Sequence, residues 1–146
     1  MISKAKRICK KAHKGQKRWN GDPYFTHPFR VAASLDYLDE DVVVAAYLHD
    51  VLEDTEWTEA DLLSEIPYPA IEIVKIVTKG KNESYRDFIM RIGMSGNTDA
   101  MLVKMSDISD NLSDLKPGSL RDKYELAYVL LEGFYIQRKM ENEGSD

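Results

Sequence analysis

The feature that most constrains this chain is an apolar run that leads directly into a cluster of ionisable residues. Residues 42–48 are apolar at every position, and a histidine with three carboxylates follows at residues 49–54. A run that is apolar all round is typical of a helix buried inside a bundle. Its β-branched residues would also allow a strand, but the run is longer than most buried strands and meets no breaker before the acidic residues. We therefore predict a buried helix from Asp41 to Leu52.

The ionisable cluster at the end of that helix needs a compensating partner. Charged groups in an apolar interior are costly unless they are paired or bound to a metal ion. Residues four apart share a helix face, so His49 is expected near Glu53 and Asp50 near Asp54. A salt-bridged helix end is the structural alternative to a metal site.

Length and composition limit the architecture. The chain has 146 residues, 43% of them hydrophobic, which fits one domain over residues 1–146. Helical spacing dominates between turn clusters and no strand-like alternation is sustained, so we predict an all-α bundle. Cys9 is the only cysteine. Neither an intrachain disulfide nor a cysteine zinc site can form, so any metal ion must be held by histidine and carboxylate groups.

Several helix ends are marked by local signals. Pro28 fits the first position of a helix, where its missing N–H costs nothing. The last helix is expected from about Leu120 to Lys139. Three helix starts have a hydroxyl residue followed three positions later by an aspartate, which is a capping-box pattern: Thr58 with Asp61, Ser84 with Asp87, and Ser119 with Asp122.

The charge is unevenly distributed. Residues 1–20 contain lysine and arginine but no acidic residue, whereas the whole chain has a net charge of -5. A basic end on an acidic body is compatible with nucleic-acid binding, with a small polyphosphate ligand, or with a solvated helix face. No apolar stretch is long enough to span a membrane and the basic N-terminus is unlike a signal peptide. We expect a cytoplasmic protein without a membrane partner.

A second segment offers further metal ligands. Residues 102–112 have the apolar spacing of an amphipathic helix, and Lys104, Asp107 and Asn111 share its adjoining face. If His27 and Asp107 came within reach of His49 and Asp50, two imidazoles and two carboxylates would form a metal site. Taken singly, such polar residues are ordinarily solvated.

The motifs resemble those of the HD-domain phosphohydrolases, and most closely the hydrolase domain of RelA/SpoT proteins and the small stand-alone alarmone hydrolases, including the metazoan SpoT homologue. The resemblance covers nearly the whole chain. The matching segments are residues 12–18, 21–24, 27–28, 31–32, 45–55, 77–79, 103–104, 107 and 111–112, with Arg121 and Tyr124 in the final helix.

The resemblance implies a fold and a set of roles. His27, His49, Asp50 and Asp107 are expected to ligate one divalent metal ion, usually manganese in the family, within an HD-type helical bundle. Glu53 and Asp54 are expected to orient and deprotonate the attacking water. Ligand chemistry alone admits Mn²⁺, Fe²⁺, Co²⁺ or Zn²⁺.

The substrate implied by the resemblance is a guanine nucleotide, ppGpp or pppGpp, cleaved at its 3′-pyrophosphate to GDP or GTP and pyrophosphate. The expected substrate contacts are Arg18 on the guanine ring, Lys14, Lys17 and Lys104 at the phosphates, and Asn111 and Tyr124 at the ribose or its phosphates.

The sequence departs from the family pattern at Trp19, Ile108 and Asp110. Asp110 adds an anion near the expected pocket, and like charge repels a polyphosphate unless it is offset. Another nucleotide, such as NADPH or a deoxynucleotide, is therefore an alternative substrate.

A non-enzymatic helical module that binds nucleic acid through the basic first helix is the third hypothesis, although we expect no nucleic-acid partner. The oligomeric state is left open.

Overall fold

Nine α-helices account for most of the part of the chain that this computed structural model describes, residues 1–144. Within that part no strand forms, and an isolated β-bridge pairs Lys17 with Pro23. The helices are α1 (Ile2–Ala12), α2 (Thr26–Ser34), α3 (Glu40–Leu48), α4 (Val51–Asp54), α5 (Glu59–Leu63), α6 (Tyr68–Ile76), α7 (Tyr85–Met94), α8 (Thr98–Leu112) and α9 (Ser119–Gly144). The predicted all-α class is confirmed. The single domain over residues 1–146 stays a prediction, and residues 145 and 146 lie outside the described residues.

Two apolar clusters form the interior, and α8 contributes to both. One cluster is built on α1, α2, α3 and α6 and includes every residue from Val42 to Leu48. The other lies between α7, α8 and α9, with Phe88, Met101 and Leu131 fully buried. Because α3 is covered on all sides, the residues directly after it are held at a fixed place inside the molecule.

The prediction of one continuous helix from Asp41 to Leu52 is wrong in one respect. The segment is helical, but α3 ends at Leu48 and a short helix, α4, begins at Val51. The His49 ring nitrogen Nδ1 lies 2.7 Å from the Ala46 carbonyl oxygen, which a continuous helix would pair with the amide of residue 50. The His49 side chain therefore takes the place of a backbone amide as the donor to Ala46. As a result, His49 and Asp50 lie in a turn between two helices.

The other boundary predictions can be compared in the same way. At Thr58 both hydrogen bonds of the capping box form, whereas at Ser84 the hydroxyl accepts the Asp87 amide alone. The last helix begins at Ser119, one residue earlier than expected, and continues five residues further, to Gly144. Its Asp122 amide donates to the Gly118 carbonyl rather than to Ser119.

The start of α2 also differs from the prediction. The helix begins at Thr26, so Pro28 occupies its third position rather than its first. A helix leaves its first four amides without internal partners, so a proline there removes no helical hydrogen bond. The earlier start places His27 inside the first turn. Across residues 1–144, no helix combines the length and the apolar character that crossing a membrane requires.

Candidate metal centre

The turn between α3 and α4 presents His49 and Asp50 toward the centre of the molecule. The contact of His49 Nδ1 with the Ala46 carbonyl oxygen makes Nδ1 the protonated nitrogen, because a carbonyl can only accept. The lone pair of neutral His49 is therefore on Nε2, which faces Asp50. Such a fixed tautomer is the usual arrangement of a metal-binding histidine.

The first turn of α2 holds His27 against α8. Its Nε2 lies 2.7 Å from Asp107 Oδ1, and its Nδ1 lies 2.6 Å from Asp110 Oδ2. Asp107 and Asp110 are one turn apart on α8, so both face the same imidazole. Each nitrogen of His27 is thus held by a separate carboxylate.

Four side chains from three helical regions converge at this point. His27, His49, Asp50 and Asp107 each offer one ligand atom, and these atoms lie within 4.8 Å of one another. Asp50 Oδ2 is 3.0 Å from His49 Nε2 and 3.6 Å from His27 Nε2. His49 Nε2 is buried and, among residues 1–144, has no hydrogen-bond partner. An unpartnered nitrogen facing two carboxylates fits a divalent cation, and the donor set is compatible with one.

The ionisation of these groups follows from their mutual contacts. Burial lowers the pKa of His49, but the negative charges of Asp50 and Asp107 outweigh it and leave the pKa well above its usual value. The pKa of His27 is also raised, because its hydrogen bonds to Asp107 and Asp110 outweigh the effect of burial. Burial raises the pKa of Asp50, yet His49 brings it down to about 2. Without a cation, the cluster is thus held together by protons shared between imidazole and carboxylate groups.

Asp110 is part of the support of the metal centre rather than a free anion. Besides His27, its carboxylate accepts hydrogen bonds from Arg30 Nε at 2.8 Å and Arg30 Nη2 at 3.1 Å. Arg18 Nη1 lies 3.3 Å from Asp110 Oδ2. The sequence predicted that Asp110 adds an anion that would repel a polyphosphate unless it is offset, and the guanidinium groups of Arg18 and Arg30 offset it.

Glu53 and Asp54, on α4, lie beside the cluster. The Lys79 amide donates to Glu53 Oε1 at 2.8 Å. The Tyr24 hydroxyl lies 2.8 Å from Asp50 Oδ2 and 3.3 Å from Asp54 Oδ2, so it links the Asp50 carboxylate to the acidic pair. Both carboxylates reach solvent, but the surrounding walls exclude part of their water. This loss of water, followed by the charges of Asp50 and Glu53, raises the pKa of Asp54 to about 6.

A pocket of about 270 Å³ opens over these groups. Four carboxylates line it: Asp50, Glu53, Asp54 and Asp107. Its walls include five of the predicted substrate contacts, together with two aromatic residues: Lys17, Arg18, Lys104, Asn111, Tyr124, Trp19 and Tyr24. Lys14 is exposed and lies outside the lining, in the turn after α1.

Three of the predicted contacts, Lys104, Arg18 and Asn111, are already engaged inside the protein. Lys104 Nζ lies 2.7 Å from Asp107 Oδ2. The Arg18 guanidinium is buried, donates to Asn111 Oδ1 at 3.2 Å, and lies 4.8 Å from the centroid of the Trp19 ring. Trp19 itself is 55% exposed. The Trp19 ring therefore lies against the buried Arg18 guanidinium, and about half of the Trp19 surface remains exposed.

The comparisons with known proteins agree with this geometry. A family model described as "HD domain" matches residues 5–117, which contain all four converging side chains and the acidic pair. The chain belongs to the HD domain family.

Relatives of this HD domain are longer proteins. This chain is 38% identical over 127 residues to the guanosine-3′,5′-bis(diphosphate) 3′-pyrophosphohydrolase of Haemophilus influenzae. The alignment covers 78% of this chain and 18% of that protein. The chain is 36% identical over 124 residues to the protein of the same name from Aquifex aeolicus, again covering 78% and 18%. The chain thus spans about a fifth of the length of the curated relatives it matches.

A solved structure has a similar fold. The structure of a metazoan ortholog of SpoT superposes with a TM-score of 0.72 at 24% identity, covering 94% of this chain and 84% of that one. At this identity the likeness concerns the fold.

Sequence reasoning named Tyr24, Asp110 and Trp19 but gave none of them a supporting role in this HD domain's site. Tyr24 lies one helical turn before His27, and Asp110 one turn after Asp107, so their spacing from a predicted ligand was an available signal. Trp19 follows Arg18 directly, and adjacent residues need not face the same pocket. Its position over the guanidinium depends on the loop between α1 and α2, which the Lys17–Pro23 bridge closes.

Proposed function

We propose that this HD domain hydrolyses the 3′-pyrophosphate of ppGpp and pppGpp, giving GDP or GTP and pyrophosphate. The observation that supports this best is the meeting of a His₂Asp₂ cluster, an acidic pair and a wall of cationic and aromatic residues in one pocket. The names of the Haemophilus and Aquifex relatives, 3′-pyrophosphohydrolases, support the choice of substrate.

In this proposal His27, His49, Asp50 and Asp107 hold one divalent ion, Mn²⁺. When bound, such an ion polarises a phosphoryl oxygen and lowers the pKa of a coordinated water. The protein's own contribution is to orient the donors. Asp110 holds the His27 ring by Nδ1, the Ala46 carbonyl holds the His49 ring, and Tyr24 holds the Asp50 carboxylate.

Glu53 and Asp54 are proposed to position water and accept its proton. The water oxygen forms a bond to the phosphorus attached to the ribose 3′-oxygen, and the bond between that phosphorus and the 3′-oxygen breaks. The proton taken up by the carboxylate pair is returned to the departing 3′-oxygen. A base works best with a pKa near the working pH, and the pKa of Asp54, raised to about 6 by its surroundings, suits this task.

The pocket walls are proposed to bind the nucleotide. Lys17 and Lys104 face the phosphates, while Asn111 and Tyr124 contact the ribose or its phosphates. Because the Trp19 ring lies against Arg18, we assign base stacking to the exposed surface of Trp19, with Arg18 supporting the indole from behind. Lys14 lies outside the pocket lining. We propose that its positive charge only attracts the polyanionic substrate toward the pocket from a distance.

The substrate is tested by measuring phosphate products with added Mn²⁺. Purified protein is offered ppGpp, pppGpp, NADPH and deoxynucleotides, and products are separated by ion-exchange chromatography. We expect pyrophosphate together with GDP or GTP. Turnover of NADPH or a deoxynucleotide alone would favour the alternative substrate and contradict the proposed one. Salt-sensitive RNA or DNA binding without metal-dependent turnover would favour the non-enzymatic hypothesis.

Glu53→Gln tests the role of the acidic pair. The glutamine oxygen can still accept from the Lys79 amide, so fold and metal content should be unchanged. Turnover should fall by roughly 10²- to 10⁴-fold, the usual contribution of a positioned base. Glu56→Gln, an exposed carboxylate outside the pocket lining, is the matched control. Full activity of Glu53→Gln with ppGpp would remove Glu53 from the mechanism.

A further inference from the structure

Helix α9 has two apolar faces, and one of them is uncovered. Its inner face packs on α7 and α8 and includes the buried residues Ala127 and Leu131. On the opposite side, Leu126, Val129 and Met140 are 62%, 63% and 66% exposed. The outer face of a helix on a monomer's surface is ordinarily charged or polar. An uncovered row of large apolar side chains marks an interaction surface.

The spacing of this outer row is that of a helix–helix contact. Leu126, Val129, Gly133, Ile136 and Met140 follow one another in alternating steps of three and four residues. This is the heptad repeat of positions that face a second helix in a coiled coil. A Cβ added at Gly133 would meet no atom within 4 Å, so the middle of the row is open to a close neighbour. We call these five residues the α9 seam.

The end of α9 gives an independent reason to expect a covering partner. Every residue from 136 to 144 is exposed, although the segment is helical. Most helical stability in proteins comes from tertiary packing, and this end of the 26-residue helix buries little of its surface. Ile136 is 51% exposed in this part of the helix and belongs to the α9 seam. A second helix along the seam would therefore also stabilise the last turns.

We propose that the α9 seam binds the α9 seam of a second copy of this chain, in antiparallel orientation. In this alignment Leu126 faces Ile136 of the second copy, and Val129 faces Gly133, so that a large residue meets a small one at the centre.

The charges beside the seam favour this orientation. Glu125 and Lys139 flank the same side of the seam near its two ends, and the antiparallel alignment brings each Glu125 next to the other copy's Lys139. Glu125 also bonds to Arg121 of its own helix at 2.9 Å. A parallel alignment would place Glu125 beside Leu130 and Glu132 beside Gln137, without opposite charges. The antiparallel dimer has one like-charge approach, between the two Glu132 side chains at its axis.

Sedimentation velocity of the full chain tests the dimer. Across a micromolar concentration series the wild-type protein should approach twice its 16.7 kDa mass. Val129→Asp and Ile136→Asp should each weaken association at least tenfold, with unchanged circular dichroism. Tyr37→Asp, which alters a 73% exposed aromatic residue far from α9 in the chain, should leave the dimer intact. A wild-type monomer at all concentrations, or dimers that survive both aspartate variants, would overturn the proposal.

Three further variants test the orientation. In an oxidised mixture of Leu126→Cys and Ile136→Cys proteins, a disulfide should join unlike chains, and neither variant should cross-link alone. The natural Cys9 is buried and does not compete. Glu132→Gln should tighten the dimer by removing the repulsion at the axis. Cross-linking of Leu126→Cys with itself would show a parallel pair and overturn the antiparallel assignment.

Discussion

The metal centre and the outer face of α9 place opposite kinds of side chain in unfavourable surroundings. At the metal centre, polar and charged groups are buried: His27, His49 and Asp107 are each less than 5% exposed. Along α9, large apolar groups face water. Burial of charge and exposure of apolar surface both cost free energy unless something compensates. Both regions therefore need compensation, and the partners proposed for them are a divalent cation at the His27–Asp107 cluster and a second helix along α9.

The largest effect is expected when the buried charges lose a member. Asp107→Ala removes a proposed ligand and leaves the partly buried Lys104 amine and the buried His27 Nε2 without their carboxylate partner. Metal content should fall to background, and the free energy of unfolding should fall by about 3–5 kcal/mol, as for other broken buried ion pairs. Metal analysis and urea denaturation check both. Asp99→Ala on the same helix is the exposed control. Wild-type metal content in Asp107→Ala would contradict the ligand assignment.

A smaller effect separates the ligands from their support. Asp110→Asn keeps the shape at His27 Nδ1 but removes the negative charge. Metal affinity should fall about 10- to 100-fold, the usual cost of losing a partner behind a ligating histidine. Competition with a fluorescent chelator measures the change, and Asp114→Asn is the neighbouring control. Unchanged affinity would mean that Asp110 serves only to pair with Arg18 and Arg30.

The apolar region is tested where α7 meets α9. A Cβ at Gly93 would lie 2.2 Å from Phe134 Cδ2, so Gly93→Ala forces the helices apart. The free energy of unfolding should fall by about 1–3 kcal/mol, the usual cost of overpacking. Metal content should be unchanged, because the site is built on other helices. Adding Phe134→Leu should recover part of the loss in a double-mutant cycle, and strictly additive losses would argue against this contact.

The mildest perturbation is a change of pH. The contacts described above raise the pKa of both His27 and His49 in the metal-free site, and a metal ion requires neutral imidazoles. Metal affinity should therefore decrease as the pH falls, since protons then compete with the cation. Calorimetry in buffers of different ionisation enthalpy should show proton release on metal binding. Affinity that does not change with pH would contradict the shared-proton account of the metal-free cluster.

The sequence predicted which four side chains converge but not their surroundings. His49, Asp50 and Asp107 could be picked out because they follow or lie within apolar runs that are buried in the bundle. The break after Leu48 was not predicted, because it results from the hydrogen bond of His49 to the Ala46 carbonyl, and helical spacing does not report such side-chain competition. The two arginine partners of Asp110, Arg18 and Arg30, lie 92 and 80 residues away in the chain. Long-range pairs of this kind depend on tertiary packing, and one sequence cannot specify them.

The α9 seam shows a second limit of prediction from sequence. The alternation of apolar and charged residues predicted a helix, and that prediction is confirmed. Which apolar residues face inward depends on where α7 and α8 lie. The burial of Ala127 and Leu131 and the exposure of Leu126 and Val129 became distinguishable only in the folded structure.

The most direct test of the central claim is the location of the metal ion. A crystal grown with Mn²⁺ should give one strong anomalous peak within bonding distance of His27 Nε2, His49 Nε2, Asp50 and Asp107, and Asp107→Ala crystals should lack it. No peak at this cluster, in a protein that still turns over ppGpp, would contradict the account.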